Sequence, residues 1–184
     1  MTQTARLTAS DGQPGDYFGF SIDLSGDTLA VGAPNDQIDA DAYHGSAYVF
    51  VKPAGDWITS TQTAKLTVSD FDTVGQFGWS VALSGDKLVA GAPPSTVGAN
   101  ESQGSAYAFV EPAGGWVDMS EHHRINALDG AAHDNFAWSL DVFGDTLIVG
   151  AYLHDIDANQ NQGSLYVFRF VALPFQYYLP WIVR

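Results

Sequence analysis

The chain repeats one sequence pattern three times at an interval of 59 residues, which the aromatic residues opening the copies, Phe18, Phe77 and Phe136, mark. The copies read FGFSIDLSGDTLAVGAP, FGWSVALSGDKLVAGAP and FAWSLDVFGDTLIVGAY. The signature positions that keep this interval are Phe18, Gly19, Gly32, Phe77, Gly78, Gly91, Phe136 and Gly150. A repeat of this length predicts a solenoid, a propeller or an array of similar units.

Each unit reads as four short β-strands separated by turn residues. In the first unit we expect strands at 18–24, 28–33, 46–51 and 63–68, because Gly, Pro, Asp and Ser bound the apolar runs there. The 46–51 run is apolar on both faces, which is typical of a sheet covered from both sides. Four-stranded antiparallel sheets packed face to face around an axis are the blades of a β-propeller. The sequence therefore predicts an all-β, propeller-like array of three four-stranded antiparallel blades.

The predicted blade units span residues 18–68, 77–127 and 136–170. The last unit lacks a fourth strand of its own. Either residues 5–9, which alternate like the fourth strands of the other units, or the C-terminal segment supplies it. Residues 171–184 depart from the repeat and are strongly apolar and aromatic, so we expect them to act as a cap.

Three blades are too few for a closed ring, because propellers contain four to eight. The two end faces of such an arc would leave a large apolar surface in water, which soluble monomers seldom tolerate. Three solutions are open at this point. The arc is a fragment of a longer array, two chains close a six-bladed ring, or terminal segments cover the ends.

The FG…GAP phrase and the later GSAYVF, GSAYAF and GSLYVF runs resemble the FG-GAP repeats of the integrin α-subunit head, and more closely their bacterial relatives. The resemblance covers nearly all of residues 5–168. It implies a propeller blade with the 18–24 strand innermost and the Ala-x-Leu strand outermost. It also implies an extracellular or cell-surface location and a role in adhesion or binding.

Calcium-binding members of that family carry a D-x-D-x-D-G loop between the FG and GAP motifs. In this chain the connection has shrunk to Ser25-Gly26-Asp27 and its counterparts. One carboxylate per turn cannot supply the six to eight oxygen ligands that Ca²⁺ takes. The family's metal site is therefore not expected here, and no cofactor is predicted.

Alternation of strand direction predicts that the long loops of all units gather at one end, which we call the long-loop end; the short turns form the hairpin end. The long loops, 10–17, 35–44, 69–76, 94–103, 128–135 and 153–162, carry 12 of the 21 acidic residues and none of the seven Lys and Arg residues. We expect an acidic binding face there. The candidate binding residues are Asp36, Asp39, Asp41, Asp70, Asp72, Asp155, Asp157 and Asn159. Solvated turn residues are the alternative interpretation of the same pattern.

Composition excludes several classes of function. A formal charge of −14 disfavours nucleic acid as a partner, and no apolar run is long enough to span a membrane. No convergent set of titratable residues predicts an enzyme. The sequence thus favours a non-catalytic, bacterial, extracellular binding or adhesion module with a protein or surface glycan as its ligand. The alternative is a structural unit that associates with itself or with adjacent repeats.

Overall fold

The computed structural model describes residues 2–39, 42–70 and 75–171, and every regular element in them is a β-strand. In chain order the strands are β1 (Leu7–Thr8), β2 (Ser21–Ser25), β3 (Thr28–Ala33), β4 (Gln37–Asp39), β5 (Ala42–Tyr43), β6 (Ser46–Val51), β7 (Ser60–Thr61), β8 (Ala64–Thr67), β9 (Ser80–Ser84), β10 (Lys87–Ala92), β11 (Ser105–Val110), β12 (Met119–Ser120), β13 (His123–Ile125), β14 (Phe136–Phe143), β15 (Thr146–Ala151) and β16 (Ser164–Arg169).

Three sheets follow the three sequence repeats. The first sheet has the order β12-β8-β6-β3-β2, the second β13-β11-β10-β9 and the third β14-β15-β16. Neighbouring strands are antiparallel within each sheet, except that β12 adds to β8 in parallel. The predicted all-β, propeller-like array is confirmed, and its sheets do not close into a ring within the described residues.

Two apolar cores hold the array together, one on each face of the second sheet. The first core joins Val49 and Leu66 of the first sheet to Leu88 and Phe109 of the second. The second core joins the opposite face of the second sheet to the third sheet, and its members include Val89, Ala108, Leu147 and Val149. Because β-strand side chains alternate between faces, one strand such as β10 contributes to both cores.

The N-terminal strand β1 packs on the outer face of the first sheet. Leu7–Thr8 pairs in parallel with Ser60–Thr61, and Leu7 and Ala9 pack on the outer face of the first sheet against Val31 and Tyr48. Residues 5–9 therefore do not complete the third sheet of the same chain. They pack on the outer face of the first sheet, and the second sheet lies between the first and the third. The outer edge of β16 has no partner strand among the described residues, and the predicted cap at 171–184 lies outside them apart from Val171.

The innermost strand of the first sheet begins later than the sequence suggests. The 18–24 strand is observed as Ser21–Ser25, because the chain forms a turn in which the amide of Phe20 donates to the carbonyl of Tyr17. Gly19 takes a φ of 92° in this turn, a conformation that favours glycine. The turn places the ring of Phe18 beside Tyr48 and Phe50 of the same sheet.

Candidate functional site

The glycine signature docks one sheet against the next. A Cβ atom added at Gly32 would overlap the carbonyl oxygen of Gly78 in the second sheet, and that carbonyl accepts a hydrogen bond from Ser21 Oγ at 2.8 Å. The same arrangement recurs one unit later between Gly91 and Ala137. These glycines therefore allow the backbones of two sheets to approach closely. Their role is in sheet packing rather than in binding a ligand.

The phenylalanines of the signature belong to the same joints. The amide of Phe77 donates to the carbonyl of His44 at 2.9 Å, and the amide of Phe136 donates to that of Gln103 at 2.8 Å. Both phenyl rings are fully buried. Main-chain hydrogen bonds and buried rings thus repeat at each boundary between sheets, at the end where the long loops gather.

The sequence predicts that Asp36 belongs to an acidic binding face, but its side chain is buried. Its carboxylate accepts hydrogen bonds from Ser46 Oγ at 2.5 Å and from the Tyr48 hydroxyl at 3.3 Å. Lys65 Nζ lies 2.7 Å from the same carboxylate. A buried carboxylate needs such partners to offset its lost hydration, so Asp36 holds the first sheet together and is not an exposed binding residue.

Lys65 also pairs with Asp11, a long-loop acid. The distance from Lys65 Nζ to Asp11 Oδ2 is 2.5 Å, and the hydroxyl of Tyr48 donates to Asp11 at 3.1 Å. Burial alone would raise the pKa of Asp11, but the hydrogen bond and charge of Lys65 outweigh it and hold that pKa below its ordinary value. Burial beside Asp36 and Asp11 raises the pKa of Tyr48.

The same constellation recurs in the second unit. Arg124 forms an ion pair with Asp70, and the hydroxyl of Tyr107 donates to that carboxylate at 3.0 Å. The third unit repeats only the Tyr–Asp part: the Tyr166 hydroxyl donates to Asp129 at 3.0 Å, and no Lys or Arg of the described chain reaches this pair. Cations from the outer strands therefore reach the long loops and neutralise part of the predicted acidic face.

The remaining predicted binding residues whose side chains the structure describes lie in a single loop of the third unit. Asp155 is exposed and accepts a hydrogen bond from the amide of Asn161 at 2.7 Å, while Asp157 and Asn159 are exposed in the same loop. Asp39 ends strand β4. Two further candidates, Asp41 and Asp72, lie outside the described residues. Within residues 2–39, 42–70 and 75–171, no three His, Asp or Glu side chains are grouped as metal ligands.

A row of aromatic rings crosses the three sheets at the long-loop end. Phe20 and Trp79 directly precede β2 and β9, Trp138 lies within β14, and Tyr152 directly follows β15. Successive ring centroids lie 4.7, 4.6 and 4.6 Å apart with interplanar angles close to 50°. Phe20, Trp138 and Tyr152 keep between 38 and 49% of their surface exposed. Partly exposed aromatic rings on a rigid scaffold can anchor a partner.

The sequence revealed this row only in part. Trp79 and Trp138 stand at the same repeat position, and their rings meet across the boundary between the second and third sheets. The aromatic side chain of Tyr152 is not repeated in the other units. It stands where the other units have Pro34 and Pro93, and that replacement is the signal that could have identified it.

The comparisons with known proteins identify the repeat. A sequence model of the FG-GAP repeat matches residues 1–50, 60–109 and 119–168. No curated protein sequence matches the chain. The structure contains no helix, among the residues it describes, that is long and apolar enough to cross a membrane. Because the three matches cover most of the chain in phase with its 59-residue interval, the chain belongs to the FG-GAP repeat family.

Proposed function

We propose that this chain is a non-catalytic, extracellular binding module that presents its long-loop end to a protein partner. The aromatic row of Phe20, Trp79, Trp138 and Tyr152 supports this best, because it combines exposed apolar surface with a rigid support from three packed sheets. Tyr17 is also well exposed at this end. Aromatic anchors are the residues that contribute most to protein interfaces.

Charge favours a basic partner. Four of the long-loop acids are exposed and make no ion pair within the described residues, namely Glu101, Asp129, Asp155 and Asp157. The net charge of −14 adds a long-range attraction for a positively charged surface. Association should then slow as ionic strength rises, because salt screens such attraction beyond about 10 Å. A surface glycan would respond to salt much less.

One set of Ser, His and Asp side chains lies in contact, one with the next, within the described residues. Its place in the fold supports a structural role for these residues. Ser164 Oγ lies 2.7 Å from His154 Nδ1, and His154 Nε2 lies 3.9 Å from Asp134 Oδ2. The positions of Ser164 and His154 correspond, two units earlier, to Ser46 and Asp36, which hold the first sheet together. A pair that recurs as a sheet contact is better explained by packing than by catalysis. The FG-GAP repeat family is likewise a non-enzymatic kind of repeat.

Binding at the long-loop end is tested with a substitution that the fold accepts. Tyr17 has a φ of 59°, and its counterparts Gln76 and Asn135 share this left-handed conformation. Tyr17→Asn, combined with Glu101→Gln, should therefore fold normally, since asparagine tolerates positive φ. The biotinylated chain is screened against arrayed extracellular proteins and arrayed glycans, and each binder is titrated with wild type and variant. We expect protein binders whose affinity falls at least about tenfold.

The matched control lies at the hairpin end. Ile58→Gln changes an exposed apolar side chain to the residue that stands at the same repeat position two units later, Gln176. It should leave every affinity unchanged. Binders that respond to Ile58→Gln but not to the long-loop variant would contradict the proposed face, and exclusive binding to glycans would contradict the protein partner.

A specific observation also favours a second role, self-assembly. Among the described residues the third sheet ends in a strand edge without a partner, that of β16, and the first sheet exposes Ile22 and Leu24 on its outer face. Unpaired edges and exposed apolar faces are sites at which further chains add.

A further inference from the structure

Two separate pieces of the structure together contain the strands of one complete sheet. The first sheet has the order β12-β8-β6-β3-β2. By the 59-residue interval, β7 and β1 are the counterparts of β12 and β8, while β16, β15 and β14 are the counterparts of β6, β3 and β2. The chain therefore contains β7-β1 as one piece and β16-β15-β14 as another, and the missing bond is the one between β1 and β16.

The two pieces cannot join within one copy. β1 is fixed on the outer face of the first sheet by its pairing with β7 and by the packing of Leu7 and Ala9. The third sheet lies on the far side of the second sheet. One edge of β1 faces β7, and its other edge has no partner strand in the described part of the chain. This free edge and the free edge of β16 are complementary halves of a repeated contact.

We propose that β1 of a second copy of this chain adds to β16 and completes the third sheet, and that two copies joined in this way close a ring of six sheets. The inference deepens the assembly role and does not depend on a partner at the long-loop end. A head-to-tail contact of this kind forms a closed ring when its rotation closes. Six blades lie within the range found for closed propellers.

Charge complementarity supports the pairing. In the two complete sheets the register places Tyr48 opposite Lys65 and Tyr107 opposite Arg124. The same interval places Arg6 opposite Tyr166 of another copy. Arg6 is exposed and has no ion pair in the described chain.

The acceptor for Arg6 is already in place. Lys65 and Arg124 each pair with the carboxylate that accepts the hydrogen bond of the opposing tyrosine. In the third unit this carboxylate is Asp129, which Tyr166 contacts at 3.0 Å without a nearby cation in the described residues. Arg6 from the second copy supplies the charge that this constellation lacks.

The innermost strands support the same docking. Val81 and Leu83 of β9 are 8 and 5% exposed because the first sheet covers them. Their counterparts in β2, Ile22 and Leu24, are 67 and 57% exposed. A third sheet of another copy would cover them in the way that the first sheet covers β9.

Polar groups on the third sheet match this arrangement. Asp23 Oδ2 accepts a hydrogen bond from the amide of Leu83 across the first joint, at 2.6 Å. Asp141 is the counterpart of Asp23 two units later, and it would accept from the amide of Leu24 in the second copy, which within one copy donates to Asp23 Oδ1. Ser139, the counterpart of Ser21, would donate to the carbonyl of Gly19 as Ser21 donates to that of Gly78.

The competing occupant of the β16 edge is the chain's own segment 172–184, which lies outside the described residues. The interval places Val183 at the position of Lys65 and Arg124. Valine cannot pair with Asp129, whereas Arg6 stands at the matching position. The observations therefore favour the second copy.

Light scattering coupled to size exclusion tests the assembly at micromolar protein concentration. The wild-type chain should elute as a dimer with a mass about twice 19.7 kDa. A monomer, or a series of open-ended polymers, would overturn the proposal. If segment 172–184 filled the edge, the wild type would be a monomer.

A charge exchange tests the contact itself. Arg6→Glu alone and Asp129→Arg alone each place two like charges at both joints of the ring, and each should raise the dimer dissociation constant at least about 100-fold. An equimolar mixture of the two variants restores opposite charges at both joints, so it should form a mixed dimer. Lys52→Glu, a charge reversal at the hairpin end, should leave the mass unchanged.

The mass of the mixed sample decides whether Arg6 and Asp129 meet between two copies. A mixture that stays monomeric, or an Arg6→Glu chain that dimerises like the wild type, would contradict the proposed contact. Circular dichroism of each variant verifies that it is folded. Because Tyr17→Asn with Glu101→Gln leaves Arg6 and Asp129 intact, loss of partner binding in that variant and loss of dimers in this experiment are distinguishable.

Discussion

At the scale of single residues, the repeat signature sets how closely two sheets approach. Gly32 and Gly91 leave room for a carbonyl of the next sheet, and a side chain at either position would overlap it. The sequence identified these positions from their spacing alone. It did not reveal their purpose, because the contacting carbonyls belong to residues that lie 46 positions further along the chain, Gly78 and Ala137.

Gly91→Ala should lower the free energy of unfolding by about 1–3 kcal/mol, because the added methyl group overpacks the joint against Ala137. Gly12→Ala is the matched control. A Cβ atom there would approach Ala9 Cβ only to 3.5 Å, and Gly12 has no positive φ. Urea denaturation of both variants measures the difference. Equal stability of the two variants would contradict the docking role.

Lys65 links Asp11 and Asp36, and its removal should change both stability and pH dependence. Lys65→Met leaves the buried Asp36 without its cation, so we expect a loss of about 3 kcal/mol at neutral pH. The lowered pKa of Asp11 contributes stability above its unfolded value, and this contribution is lost as the pH falls through the folded pKa. Asp11 is well exposed, so screening keeps its share small.

Urea midpoints at about pH 5 and about pH 3 measure this dependence. The wild type should lose more stability over that interval than Lys65→Met, in which Asp11 has no cation to lower its pKa. Equal losses of stability in the two proteins would show that the Asp11–Lys65 ion pair contributes nothing to the pH dependence. Tyr48→Phe, which keeps the ion pair and removes only the weaker hydrogen bond to Asp11, is the control and should retain most of the pH dependence of the wild type.

At the scale of elements, the strands of the GAP and GSAYVF runs were predictable from sequence. The expected strands at 28–33 and 46–51 coincide with β3 and β6, because long apolar runs with turn residues on both sides leave little choice of boundary. The two-residue strands β7 and β12 were not predicted. A strand of two residues has no periodicity, and its pairing depends on where tertiary packing places the neighbouring outer strand.

Candidate site residues were harder to predict than strands. Acidic residues cluster in the long loops of the sequence, but the cations that neutralise Asp11 and Asp70 come from outer strands 54 residues away. Sequence spacing carries no direct record of such a contact. The aromatic row was partly visible from Trp79 and Trp138, whereas Tyr152 joins it from the end of a different strand.

Leu66 and Leu7 occupy the same repeat position in two environments, so they compare a closed joint with an open one. Leu66 is fully buried between the first and second sheets, whereas Leu7 is only partly buried on the outer face of the first sheet. Under conditions in which the chain is monomeric, Leu66→Ala should cost about 3–5 kcal/mol and Leu7→Ala less than about 2 kcal/mol. Thermal unfolding measures the order, and a larger cost at Leu7 would contradict this account of the faces.

At the scale of the whole molecule, the repeat and the sheets are offset from each other. Each FG-GAP match begins ahead of an outer strand and ends in the third strand of the following sheet. In the part of the chain that the structure describes, three repeats therefore give two complete sheets, one sheet without its outer strand, and one outer strand without its sheet. The sequence predicted that three blades leave two open ends, and the structure defines the residues at each.

If a second copy adds as proposed, both ends of the arc are halves of one joint. Engineered cysteines test this most directly, because the chain has none of its own. The register of the two complete sheets, Ala47 with Leu66 and Ala106 with Ile125, places Leu7 of one copy opposite Leu165 of another. A disulfide between these positions can form only if β1 and β16 meet.

The measurement is the mass of the Leu7→Cys, Leu165→Cys double variant on a denaturing, non-reducing gel after mild oxidation. The account predicts a covalent dimer of about twice 19.7 kDa, and no such dimer for Leu7→Cys combined with Phe143→Cys, whose second thiol lies at the hairpin end of the third sheet. Absence of the covalent dimer in the first variant, or equal yields in both, would contradict the joining of β1 to β16.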